Sequence, residues 1–221
     1  VAAVTLPATL TGINTMAFSG CNLTGDIVIP TQVTKIANEA FAGNVAITSV
    51  SFPASLTNLG EGVFNGCKAI TAFTVDAANT AYVVKDNKAL ATIDGVTILA
   101  YPVAAPETTF ADAAAKAIGA YAFNGAKNIT AFDVPNVTAF GDYALANTGV
   151  QKMTIRGEVG RYVLSGNTAL TSVHLASGTQ TPHGLCKDCS SLTEFTSQYQ
   201  LMTIKSESFA GCTSLKTLDR G

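Results

Sequence analysis

The sequence predicts an α/β solenoid in which a unit of about 23 residues recurs, each copy giving one short parallel strand and a brief helical return segment. Three observations carry this: an aromatic or aliphatic anchor at near-constant spacing, alternating apolar and polar residues a fixed distance after it, and prolines that end the alternation. A repeat of this length cannot bury its own apolar face, and only stacking on its neighbours closes a core.

The anchor is the second residue of an Ala-Phe pair or its equivalent, at Phe18, Phe41, Phe64, Phe123, Leu145, Leu164, Cys186 and Phe209. The successive steps are 23, 23, 59, 22, 19, 22 and 23 residues. Five residues before it stand Ile13, Ile36, Leu59, Ile118, Phe140, Val159, Thr181 and Ile204, and nine after it Ile27, Val50, Phe73, Phe132, Val173, Phe195 and Leu218, with Met153 one residue early. The repeat from Thr181 to Phe195 departs most, with Thr181 and Cys186 in apolar slots.

Thr48 to Phe52, Thr71 to Val75 and Thr130 to Val134 alternate apolar and polar residues, the period of a half-buried strand. Pro30, Pro53 and Pro135 then end three strands, because proline donates nothing to a ladder. Return segments such as Asn38 to Ala42 and Glu61 to Asn65 have room for a helical turn or two.

The 59-residue step is 36 residues longer than one repeat, which marks an insertion at about 76–112. Within it Ala89 to Ile93 and Val96 to Tyr101 flank Asp94-Gly95, the pair favoured by a two-residue hairpin turn. A β-hairpin projecting from or capping one coil is the expectation. All 221 residues read as a single solenoid domain. Neither end reads as a polar cap, so further repeats or another domain are expected beyond one or both ends.

Only 13% of residues are charged and the net charge is −2, so nothing favours nucleic acid or an anionic membrane as partner. No apolar run reaches the roughly 18 residues needed to span a bilayer, and Val1 to Thr5 lack the basic start and apolar middle of an export signal. The two histidines, His174 and His183, have no neighbouring nucleophile pattern, and no phosphate-binding, zinc-protease, calcium-loop or nucleophile-elbow motif occurs. No enzymatic activity and no cofactor are therefore expected.

Cys21, Cys67, Cys189 and Cys212 all lie three residues after the anchor, a slot also filled by Asn44, Ala126 and Asn167. The leading reading makes them repeat positions that pack or hydrogen-bond a turn. A disulfide between Cys189 and Cys212 on adjacent coils is a second reading, and a zinc site joining His183 to three cysteines a third.

The polar residues interleaved with the apolar strand positions form a candidate binding face: Asp26, Ser49, Ser51, Thr74, Asp133, Lys152, Thr154, Ser172, His174, Glu194 and Thr196, with Thr217 and Asp219 beyond them. Small hydroxyls dominate this face, and no cluster of Tyr, Trp or Arg marks a hot spot on it. The insertion adds a second candidate through Tyr82, Asp94, Gly95 and Tyr101, because loops on rigid scaffolds carry specificity.

The segments Ile36-Ala37-Asn38-Glu39-Ala40-Phe41, Ile118 to Phe123 with Asn128-Ile129-Thr130, and Ile204 to Phe209 followed by Gly211-Cys212-Thr213-Ser214-Leu215 resemble the BspA-like leucine-rich-repeat family of bacterial and protist surface proteins. The insertion, with Asp94-Gly95-Val96 and Leu99-Ala100-Tyr101-Pro102, resembles a segment found between repeats of that family. The resemblance implies an exported or cell-surface protein that binds protein, such as a host extracellular protein or another surface protein, and acts in adhesion. A carbohydrate-binding surface module and a spacer without its own ligand are the competing readings, the first disfavoured by the absence of Trp.

Overall fold

A computed structural model describes residues 4–86 and 88–220 of the chain, which divides into two compact units, Val1–Pro106 and Glu107–Gly221. The first unit contains β1 (Gly12–Ile13), β2 (Thr24–Val28), β3 (Lys35–Ile36), β4 (Ala46–Phe52), β5 (Asn58–Leu59), β6 (Ala72–Val75), β7 (Tyr82–Val84), β8 (Leu90–Thr92) and β9 (Thr97–Ala100). Strands β2, β4 and β6 form one parallel sheet, in which Ile27, Val50 and Phe73 share a register and point into the core. Strands β1, β3 and β5 form a second, which carries Ile13, Ile36 and Leu59.

The second unit repeats the plan with β10 (Thr109–Ala111), β11 (Ala117–Ile118), β12 (Ala131–Asp133), β13 (Ala139–Phe140), β14 (Lys152–Ile155), β15 (Glu158–Val159), β16 (Ser172–Leu175), β17 (Glu194–Ser197) and β18 (Thr217–Arg220). Here β10 pairs with β12, β11 with β13 and β13 with β15, while β14, β16, β17 and β18 form a continuous parallel ladder. Most coils thus carry a second strand of two residues, five residues before the anchor, where the sequence predicts only one strand. In the coil that begins at Thr181 this second strand shrinks to a single bridge, Gln180 to Thr203, yet Cys186 still fills the anchor slot and is buried.

The expected helical character is absent: among the described residues there is no α-helix. Two left-handed residues in every return segment exclude it. The residue two before the anchor has positive φ throughout, from Met16 (57°) to Glu207 (59°), and so does the residue two after it, from Gly20 (67°) to Gly211 (77°). A right-handed helix cannot pass through such positions. Backbone N–H groups at the anchor and two residues either side instead donate to the next coil, as Glu39, Phe41 and Gly43 do to Glu61, Val63 and Asn65 at 2.7–3.0 Å. The return path is satisfied between coils rather than within itself.

The anchors stack as a column. Phe18 and Phe41 lie 5.2 Å apart and Phe41 and Phe64 5.9 Å, with nearly parallel rings. Leu145, Leu164 and Cys186 are wholly buried in the corresponding slot of the second unit. Glycine four residues before the anchor lets coils close up: a Cβ on Gly60, Gly141 or Gly160 would sit 2.4–2.6 Å from a backbone nitrogen of the preceding coil.

The insertion is a three-stranded antiparallel meander, β7 against β8 and β8 against β9, with Gly95 at φ 71° in the second turn. It does not project. Tyr82, Ala89, Leu90, Ala91, Ile98 and Tyr101 are buried, and the Tyr82 hydroxyl accepts from Leu59 N at 2.8 Å and donates to Thr57 O at 3.2 Å. The meander therefore continues the core of the first unit, a role that alternation within it did not reveal.

Candidate binding surface

The side chains expected to face outward alternate with core residues along each strand, and the parallel registers arrange them in rows. In the first unit Asp26 opposes Ser49 and Ser51 opposes Thr74. These residues satisfy one another: the Asp26 carboxylate accepts from Ser49 at 2.6 Å and Thr48 at 2.8 Å, and Thr74 donates to Ser51 at 2.8 Å. The two hydroxyls hold the Asp26 carboxyl below the usual carboxylate range.

In the second unit Lys152, Ser172, Glu194 and Thr217 form one row and Thr154, His174, Thr196 and Asp219 another. Ser172 donates to Glu194 at 3.2 Å, and His174 Nδ1 lies 2.8 Å from Thr196 Oγ1. His174 is half-buried by this contact rather than freely exposed.

One interruption in this face distinguishes it from a uniform solvated wall. Between β12 and β14 the ladder opens: Gln151 N still donates to Thr130 O at 3.2 Å, but no strand pairing joins 131–133 to 152–155. The opening leaves a groove of about 420 Å³ lined by Asp133, Lys152, Thr154, Arg156, Ser172 and His174 over an apolar floor that includes Phe132 and Met153. Five of these six polar residues belong to the face read from the sequence. Arg156 does not; it reaches across the seam and donates from its guanidinium to Pro135 O at 2.7 Å. The sequence signals for the seam are the residues arriving one early at Val150 and Met153 and the 19-residue step that follows.

A second surface went unnoticed in the sequence. Tyr121, Tyr143 and Tyr162 occupy the left-handed position two residues before successive anchors, with φ of 61°, 56° and 56°. Their half-buried rings stack at 5.2 and 5.0 Å, within 8° and 11° of parallel. The next equivalent residue is Gly184, where a Cβ would lie 2.1 Å from the Tyr162 ring, so glycine there makes room for the stack. Beyond it Glu207 pairs with Lys187 and accepts from the Tyr162 hydroxyl at 3.4 Å, while the Lys187 ammonium stands 5.9 Å from the Tyr162 ring centre. Burial, followed by the Tyr162 phenol, raises the Tyr143 hydroxyl pKa. The signal was present as Tyr at spacings of 22 and 19, the spacings of the anchors themselves.

The insertion residues behave differently from expectation. Tyr82 and Tyr101 are buried side chains of the core. Asp94 lies on the surface, but its carboxylate is engaged by the Thr92 hydroxyl at 2.6 Å and Val96 N at 3.2 Å, which shapes the turn.

All five cysteines are free thiols. Three of the four in the slot three residues after the anchor donate to an anchor-slot carbonyl of the preceding coil: Cys67 to Phe41 O at 3.2 Å, Cys189 to Leu164 O at 3.1 Å and Cys212 to Cys186 O at 2.9 Å. Asn44 and Asn167 do the same to Phe18 O and Leu145 O, at 2.8 and 3.0 Å. Burial pushes the Cys67 and Cys212 thiols up to about 11. Among the described residues no group of three or more His, Cys, Asp or Glu is arranged to hold a metal ion.

The BspA type leucine rich repeat region matches this chain in six copies, over residues 1–88 and 107–216. No curated protein matches it by sequence. Among solved structures it is similar to a leucine-rich repeat protein of Eubacterium ventriosum, 24% identical with a TM-score of 0.85, covering 95% of this chain and 64% of that one. A leucine rich cell surface protein of Faecalibacterium prausnitzii is 18% identical with a TM-score of 0.69 over 94% of this chain and 62% of its own. The pneumococcal vaccine antigen PcpA is 14% identical with a TM-score of 0.61 over 90% and 61%. The chain thus spans less than two thirds of the length of these structural relatives.

Proposed function

Because this chain belongs to the BspA-type leucine-rich repeat family, we propose that it is a protein-binding module of a cell-surface or secreted adhesion protein, with the strand face of the second unit as its recognition surface. The observation that carries this reading is the open seam between β12 and β14. It gathers Asp133, Lys152, Arg156 and His174 beside Phe132, Val134, Pro135 and Met153 in one groove, whereas β2, β4 and β6 of the first unit pair without such an opening. Interfaces combine apolar contact with charges that fix register, and the groove lining holds both kinds of side chain. A surface location is supported by two of the structural relatives, one a cell surface protein and the other a vaccine antigen.

A carbohydrate module is disfavoured by the tyrosine row. Sugars stack on open aromatic faces, and these rings cover one another at 5.0–5.2 Å. The test is binding of the purified chain to immobilised extracellular-matrix proteins and to a glycan array, with Lys152→Glu and Asp133→Lys beside Thr74→Ala as a control on the first unit. Saturable protein binding weakened about tenfold by the two charge reversals and untouched by Thr74→Ala supports the reading. A glycan hit favours the carbohydrate alternative, and silence across both arrays a spacer.

A further inference from the structure

We propose that Tyr121, Tyr143 and Tyr162 are an oxidative modification site, at which hydrogen peroxide and a haem peroxidase join neighbouring rings into a dityrosine that staples one coil to the next. Three features of the row converge on this. The rings are held at 5.2 and 5.0 Å and nearly parallel, so two phenoxyl radicals formed on neighbours meet without diffusion. The rings are half-buried, which leaves an edge open to an oxidant while the coil fixes the pair. And other residues fill the same left-handed slot elsewhere, Met16, Glu39 and Glu207 among them. Glycine stands at the same slot as Gly62 and Gly184, so the slot does not demand a ring.

The chemistry balances as follows. Each of two phenols loses one electron and its hydroxyl proton; the radicals form a carbon–carbon bond between ring positions ortho to the oxygens. The two ortho hydrogens then return to the oxygens, restoring both aromatic phenols. The two electrons and two protons released reduce one peroxide to two waters.

The remaining tyrosines supply the internal controls. Tyr82 and Tyr101 are buried, and Tyr199 is exposed but not stacked on another tyrosine ring, so it is set up to couple only between molecules. The full chain at low concentration is treated with peroxidase and hydrogen peroxide, and in parallel with photo-activated ruthenium and persulfate, a small-molecule oxidant. Expected is dityrosine fluorescence in a monomer two hydrogens lighter, with peptides mapping the bond to Tyr121–Tyr143 or Tyr143–Tyr162. Tyr143→Phe keeps the ring stack but removes the shared partner, leaving Tyr121 and Tyr162 two coil steps apart, and abolishes the intramolecular product. Tyr199→Phe leaves it unchanged. Dityrosine found only in covalent dimers, surviving in Tyr143→Phe, or formed by neither oxidant overturns the proposal.

Discussion

Replacing Asn44 with alanine tests the claim that the slot three residues after the anchor exists to satisfy backbone groups of adjacent coils. Asn44 is wholly buried; its amide donates to Phe18 O at 2.8 Å and Phe41 O at 2.7 Å, and its carbonyl accepts from Leu23 N at 2.9 Å. In Asn44→Ala the Leu23 N–H loses its partner in the dry interior, which costs about 1–3 kcal/mol. The two carbonyls fall back on weaker donors, Cys21 N at 3.4 Å and the Cys67 thiol at 3.2 Å, and each forfeits about 0.5–1.5 kcal/mol. Together these give a loss of about 2–6 kcal/mol. Asn44→Cys restores one donor in the manner of Cys67 but leaves Leu23 N orphaned and one carbonyl short, so its loss is smaller, about 1.5–4.5 kcal/mol. Asn44→Asp offers no N–H to either carbonyl and buries a charge beside them, and it is the worst of the three. Urea unfolding followed by circular dichroism, with unchanged slope and shifted midpoint, reads the series. An Asn44→Ala midpoint within about 0.5 kcal/mol of the parent, or a cysteine variant no better than alanine, would refute the reasoning.

Gly141→Ala places a Cβ 2.4 Å from Ala120 N, and because the obstacle is backbone the coils must part; thermal unfolding is expected to report a loss of about 1–3 kcal/mol. Tyr82→Phe orphans Leu59 N and is expected to cost about 1–2 kcal/mol by urea titration, whereas an insertion that merely decorated the surface would lose nothing. Cys67 keeps its proton when folded up to about pH 11 but releases it near 9 when unfolded, so the native state binds more protons between those values. Its stabilising contribution is therefore complete below pH 9 and falls as pH rises from 9 to 11, by on the order of 2–3 kcal/mol, a decline that Cys67→Ser removes. In native protein near pH 8, iodoacetamide is expected to modify the exposed Cys21 and to spare Cys67 and Cys186 until denaturant is added.

The repeat, its register and the strand positions were legible because burial of one face imposes a strict period on side chains. Thr48 to Phe52 falls within β4, and Thr71 to Val75 and Thr130 to Val134 span β6 and β12. What alternation does not encode is backbone handedness. The left-handed residues at Met16, Glu39 and Tyr121 look ordinary in a sequence, and without them a short return segment reads as helix. The same limit holds for the meander: Asp94-Gly95 announces a turn but says nothing about which side of the flanking strands is buried. Five residues of the groove were readable from strand parity, while Arg156 was not, because its reach to Pro135 O depends on the ladder opening beside it.

The direction of the bonds between coils has an electrical consequence. On the return wall, N–H groups such as those of Phe41 and Leu145 point toward the following coil, whereas on the flank carrying the two-residue strands those of Gly60 and Gly141 point toward the preceding one. Peptide dipoles on the two walls oppose each other. An α-helix sums its dipoles and ends in fractional charges, whereas dipoles of opposite sense on two walls offset one another in part. Each added coil therefore adds less to an axial field than the same peptides aligned in a helix would.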